Sequence, residues 1–162
     1  MGKESKIRTI KLSKKNSKGL NKIMKNGIVI IAFFMKPKQC THCEALKPTW
    51  NQLMKKYRKI STNMPCALAT SVVGTEGLIE SDDTNIEGFP TIRVFRSGKK
   101  YGNDYEQERS FDALSRFIDN QFGIAMSGGS KKYKKKLRTL RRKKRRRRRT
   151  RKKRKKSFFS WY

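Results

Sequence analysis

The sequence predicts an α/β domain, a central mixed β-sheet flanked by helices, followed by a basic tail with no fold of its own. Three observations carry this. From Ile28 to Met35 the chain is nearly all apolar, as a central strand covered on both faces requires. Shortly after, Leu46, Trp50, Leu53, Met54 and Tyr57 recur at the spacing of one helix face. Between Lys131 and Lys156 there are twenty-one lysines and arginines and no acidic residue, so no apolar face can form there.

The elements follow in order. A strand is expected around Ile7 to Leu12 and a helix around Ser17 to Lys25. The strand Ile28 to Met35 is too short for a bilayer, which takes about 20 apolar residues. Pro37 ends it, and a helix runs from about Cys43 to Arg58. Next come a strand near Cys66 to Val73, a short helical or irregular stretch through Asp82 and Asp83, and the strand Thr91 to Arg96 with a hairpin partner around Tyr101 to Tyr105. Ser110 caps a last helix from Phe111 to Phe122, which Gly123 stops. Residues 1–6 thus form a basic extension, 7–123 the folded domain, 124–130 a flexible linker and 131–162 the polybasic tail with an aromatic end.

Chemistry concentrates at Cys40-Thr41-His42-Cys43, which falls at the junction of a strand and a helix. Cys40 would lie at or before the first helical turn, where unpaired N–H groups and the helix dipole favour an anion and therefore a thiolate. Cys43, one turn on, is placed to reach its sulfur. His42 adds a donor or positive character beside that thiolate, which stabilises the reduced form. A C-x-x-C pair can also be half of a metal site. Zinc wants four ligands, and Cys40, Cys43, Cys66 and His42 are all the cysteine and histidine the chain offers. His42 stands between two would-be ligands, and Cys66, in Cys66-Ala67-Leu68-Ala69, reads as core. No metal and no cofactor is expected.

These residues resemble the thioredoxin superfamily, and more closely the catalytic domain of protein disulfide isomerases. The likeness rests on Cys40, His42 and Cys43, on Ala45-Leu46-Lys47-Pro48-Thr49-Trp50, on Gly88-Phe89-Pro90-Thr91 before the strand Ile92-Arg93-Val94-Phe95, and on Tyr105, Arg109, Leu114, Phe117 and Ile118. It covers roughly residues 7 to 123. The resemblance implies a thioredoxin fold in which Cys40 attacks a substrate disulfide and Cys43 resolves the mixed disulfide. It implies a cis bond before Pro90, with the backbone at Phe89 pairing to the bound polypeptide, and an approach of Arg109 to the resolving cysteine. Pro90 also reads as an ordinary turn proline, and Arg109 as a solvated surface charge. Two departures stand out. Phe33 takes the place of a buried acid that relays a proton for the second cysteine, so resolution by Cys43 is expected to be slow, and Gln39 replaces the usual tryptophan before the first cysteine.

The formal net charge is +31, unevenly spread. Residues 1–26 hold nine basic residues and one acidic, and 27–123 hold thirteen and eleven. The folded domain is thus expected to be nearly neutral and the positive charge an appendage. Lys131 to Lys156 is an electrostatic footprint for nucleic acid or another polyanion, with no scaffold to read bases. A nuclear localisation signal, a solubilising extension and an anionic membrane surface are the other readings. The end, Ser157-Phe158-Phe159-Ser160-Trp161-Tyr162, could stack on bases, enter a lipid interface or dock on a partner. Met1 to Lys25 has no continuous apolar core, and the chain ends without a retention signal for the endoplasmic reticulum, so cytoplasm, nucleus or virion is expected. A compact isomerase-like domain with a polybasic tail is similar to redox proteins of large cytoplasmic DNA viruses. The expected function is thiol-disulfide oxidoreduction on protein substrates. The competing one is a non-enzymatic nucleic-acid-binding or structural, virion-associated protein that uses the domain as an interaction module.

Overall fold

A computed structural model describes residues 4–81 and 83–124. Asp82, all but the first residue of the expected linker 124–130, the tail Lys131 to Lys156 and the aromatic end lie outside the described residues. The elements are β1 (Ser5–Lys6), β2 (Arg8–Lys11), α1 (Ser17–Asn26), β3 (Ile28–Phe34), α2 (Thr41–Tyr57), β4 (Ser61–Thr62), β5 (Cys66–Val72), a 3₁₀ turn (Glu76–Leu78), β6 (Thr91–Arg96), β7 (Lys99–Lys100) and α3 (Phe111–Phe122). Five strands make a mixed sheet in the order β2-β5-β3-β6-β7, and β1 pairs with β4 as a separate two-stranded ribbon. β2, β5 and β3 are parallel, whereas β6 and β7 run antiparallel to their neighbours. This is the expected mixed sheet between helices.

β3 sits in the middle, and all seven of its residues are buried. Strand alternation divides them. Ile28, Ile30, Ala32 and Phe34 join one core with Leu46, Trp50, Leu53, Met54 and Tyr57 of α2 and Leu114, Ile118 and Phe122 of α3. Val29, Ile31 and Phe33 join a second core with Leu20, Ile23 and Met24 of α1. Each large apolar side chain removed from water contributes about 1.5–3 kcal/mol before entropy is counted. The buried Tyr57 hydroxyl donates to an Asp119 carboxylate oxygen at 2.6 Å, and burial followed by that carboxylate pushes the phenol pKa up.

Helix ends follow their sequence signals. Ser110 Oγ accepts the Ala113 N–H at 3.3 Å, and Gly123 closes α3 in the left-handed region at φ 64°. The expected hairpin partner at Tyr101 to Tyr105 is displaced. Ser97 (φ 50°) and Gly98 (φ 81°) form a two-residue turn, so the ladder pairs Arg96 with Lys99 and Phe95 with Lys100. Tyr101 and Tyr105 add only single backbone bonds, to Val94 and Ile92. The expectation of a nearly neutral domain also fails, because eight of the nine N-terminal basic residues lie between Lys6 and Lys25, on β1, β2, α1 and the loop joining them.

Gly27 permits a close approach. A Cβ there would collide with the Pro65 carbonyl, the oxygen that accepts the Ile28 N–H at 3.0 Å where β3 begins. Gly27→Ala is therefore expected to lower stability by about 1–3 kcal/mol or more, read as a lower urea midpoint. Gly77→Ala, whose added Cβ meets nothing within 4 Å, should be close to neutral.

Candidate functional site

The loop from Met35 to Gln39 carries the chain from the end of β3 into α2. Lys38 takes the left-handed region at φ 66°, and its N–H donates to Glu44 Oε1 at 3.3 Å. Lys47 Nζ meets the same oxygen at 2.6 Å, and this ammonium first, then the Lys38 N–H, holds the Glu44 carboxyl below its usual range. The turn that presents Cys40 is thus tied to the first turn of the helix that follows it.

Cys40 is the N-cap of α2, in extended backbone, and its sulfur accepts the Cys43 N–H at 3.0 Å. The helix begins two residues earlier than its apolar stripe implies, because a cap needs no apolar side chain. The two cysteines are disulfide-bonded, with Cα atoms 5.2 Å apart. They differ in access: Cys40 is half-buried and Cys43 is 0% exposed. An incoming thiolate therefore has one sulfur to attack, and it is the one that carries the N-terminal donor.

Opposite the sulfurs runs the segment before β6. The Phe89–Pro90 bond is cis. Cys40 Sγ lies 3.7 Å from the Phe89 carbonyl oxygen, and Thr91 Oγ1 donates to the Gly88 carbonyl at 2.7 Å. Cys40, Cys43, Phe89 and Pro90 thus come together in space from segments almost fifty residues apart. His42 stands on the exposed side of the first turn of α2. Arg109 Nη2 donates to the Pro90 carbonyl at 3.0 Å, so its charge is anchored at the proline rather than bonded to either sulfur.

Phe33 requires a correction. Its side chain belongs to the α1-side core, whereas Cys43 belongs to the α2-side core with Ala32 and Phe34. A one-residue change of register exchanges the faces of a strand, and the loop before Cys40 obscures the register in sequence. The consequence for chemistry is unaltered, since Ala32 and Phe34 are apolar and β3 presents no carboxylate on the Cys43 face. Cys66 is buried on β5 beside Ile28, where burial pushes its thiol pKa up.

Sequence reasoning missed Arg93. Its side chain, 5% exposed, grips Asp104 with Nε and Nη2, both at 2.7 Å, while Nη1 donates to the carbonyls of Asp83 and Asn85. The approach to Pro90 is thereby fastened to β6. The available signal was an arginine inside an apolar strand with an aspartate at the far side of a tight hairpin.

The thioredoxin family model matches residues 9–120. Among curated proteins, the chain is 32% identical over 120 residues to a protein disulfide-isomerase like 2-2 from Arabidopsis thaliana, covering 74% of this chain and 24% of that protein. It is 30% identical over 105 residues to the protein disulfide-isomerase-like protein EhSep2 of Emiliania huxleyi, covering 65% and 45%. The chain therefore spans less than half of each. Among solved structures, human ERp44 aligns with a TM-score of 0.51 at 19% identity, covering 68% of this chain and 31% of that one. The first two thioredoxin domains of Naumovozyma dairenensis Eps1p align at 0.50 and 23%, covering 66% and 38%. At such identities the structures speak for the fold alone. Among the described residues no helix is long and apolar enough to cross a membrane.

Proposed function

This chain belongs to the thioredoxin family, and from that premise we propose that it is a thiol-disulfide oxidoreductase, isomerase-like, acting on protein disulfides through Cys40 and Cys43. One observation carries the reading: an accessible sulfur at a helix N-cap, receiving the Cys43 N–H at 3.0 Å, beside a cis-proline backbone. A charge-assisted N–H bond and the helix dipole stabilise Cys40 as a thiolate more than as a thiol, which makes it both a good nucleophile and a good leaving group.

In the reducing direction the Cys40 thiolate attacks one sulfur of a substrate disulfide. The substrate S–S bond breaks, the attacked sulfur joins Cys40 in a mixed disulfide, and the other substrate sulfur leaves as thiolate. Cys43, having lost its proton, attacks the Cys40 sulfur and expels the second substrate thiolate, so the substrate gains two electrons and the protein ends as the Cys40–Cys43 disulfide. Oxidation of a substrate dithiol runs the same steps backward. Reduction potential against the compartment sets the direction. The Phe89 N–H, which finds no acceptor among the described residues, is suited to a backbone carbonyl of the substrate, with Pro90 shaping the groove. His42 favours the thiolate, and Arg109 supports the proline side.

The tail Lys131 to Lys156 tethers the enzyme to a polyanion such as nucleic acid, on the strength of its twenty-one cations, in the cytoplasm, the nucleus or a virion. Insulin reduction by dithiothreitol tests the enzymatic reading. The chain should accelerate it, and Cys40→Ser should return it to the uncatalysed rate. Equal rates for both proteins would leave the interaction-module alternative.

A further inference from the structure

A groove of about 1130 Å³ runs along β2, the open edge of the sheet, between that strand and the start of α1. It is lined by Lys6, Arg8, Lys11, Lys15 and Arg58, all exposed, and by no carboxylate. Among the described residues none of these five enters a salt bridge. None of the redox-site residues lines it either.

The walls are held in place. Asn16 accepts the Ser13 N–H at 2.9 Å and donates to the Lys11 carbonyl at 2.7 Å, which fixes the start of α1 against the end of β2. The Ile7 N–H reaches the Ile60 carbonyl at 2.9 Å, bringing the end of α2 and its Arg58 to the same groove. Arg8 Nη1 lies 3.9 Å from where a Cβ on Gly19 would stand, which places this guanidinium beside α1. Five like charges gathered without a counter-charge repel one another, and a bound anion relieves that repulsion.

We infer that this groove is a binding site for the phosphodiester backbone of nucleic acid, on the folded domain itself and separate from the tail. Arg8 and Lys11, three residues apart on β2, project to opposite faces of the sheet, Arg8 on the α1 side, so cations stand on both sides of the open edge that a phosphate strand would follow. No aromatic side chain lines the groove, so bases have nothing to stack on and binding is indifferent to sequence. A lipid surface fits less well. Among the described residues the exposed large apolar side chains, Met64 and Tyr101, lie outside the groove, and it offers nothing to insert into a bilayer. An added β-strand fits less well too, since lysine and arginine on an edge strand oppose pairing.

The test uses the full chain and a 20-base-pair DNA duplex. In a titration followed by NMR, amides from Ser5 to Gly19 and at Arg58 should shift, and the triple variant Arg8→Gln/Lys11→Gln/Lys15→Gln should lose those shifts. All three positions are exposed, so the variant should retain its melting temperature. Its log affinity against log salt should flatten by about two to three, near 0.9 for each lost phosphate contact. Groove amides that stay still, or a salt slope unchanged in the variant, would overturn the inference. So would groove shifts produced by phosphatidylserine vesicles or polyglutamate but not by the duplex.

Discussion

Cys43→Ser is expected to stop turnover with the protein joined covalently to its substrate, whereas Cys40→Ser gives neither turnover nor adduct. The asymmetry follows from burial. Cys40 is the accessible sulfur and receives the helix N-terminal donor, so the first exchange needs Cys40 alone. The second exchange needs a thiolate within bonding reach of Cys40, and the 5.2 Å Cα separation supplies it only from position 43. Cys66, buried on β5 with its thiol pKa raised by burial, does not substitute. With Cys43 gone, about one substrate chain per protein should accumulate as a mixed disulfide. Non-reducing electrophoresis after mixing with a disulfide-containing protein, and its reversal by dithiothreitol, reads this directly. Adducts formed equally by Cys40→Ser would assign the nucleophile to the wrong sulfur.

The wild-type protein should share part of this behaviour. Cys43 lies in an apolar core with Ala32 and Phe34, surroundings that disfavour a thiolate. The mixed disulfide should consequently be longer-lived than the attack that forms it.

What sequence could and could not reveal divides along physical lines. Strong local signals were legible: the apolar run of β3, the stripe of α2, the Ser110 cap and the Gly123 stop each depend on neighbours in the chain. The placement of Cys40 at a helix start was legible for the same reason. The β7 register was readable in principle, because Ser97-Gly98 between two strand-like runs is a hairpin signal, but the more apolar Tyr101 to Tyr105 competed for the pairing. Which face Phe33 takes depends on a loop whose length shifts the register, and no local pattern fixes that. Arg93 is harder still. Its burial is possible only because Asp104 and two loop carbonyls converge on it, partners that adjacency in sequence does not disclose.

That convergence makes Asp104 the residue whose loss should cost the fold most for the smallest change. Asp104→Ala leaves a 5%-exposed guanidinium without its counter-charge. Breaking a buried ion pair from one side costs about 3–5 kcal/mol, and the partial exposure of the Asp104 side chain, 28%, argues for the lower end of that range. The acid limb of stability should change with it. The Arg93 hydrogen bonds first, with Lys100 nearby, hold the Asp104 carboxyl below the usual aspartate value, so its folded pKa is depressed relative to the unfolded chain. A depressed acid contributes stability that is present above about pH 4 and lost as pH falls through the folded value. Wild type and Asp104→Asn should therefore differ clearly in urea midpoint at pH 7 and converge near pH 2. The site should respond as well. Arg93 fastens the carbonyls of Asp83 and Asn85 on the way to Pro90, and an Arg93 freed from Asp104 holds that approach less firmly. Insulin reduction by Asp104→Asn, measured where the variant is still folded, should fall while the Cys40 alkylation rate stays near wild type, because the cap that activates Cys40 lies on α2 and is untouched. A gap in midpoint that persists undiminished at pH 2 would show that Asp104 stabilises the fold by packing rather than by charge.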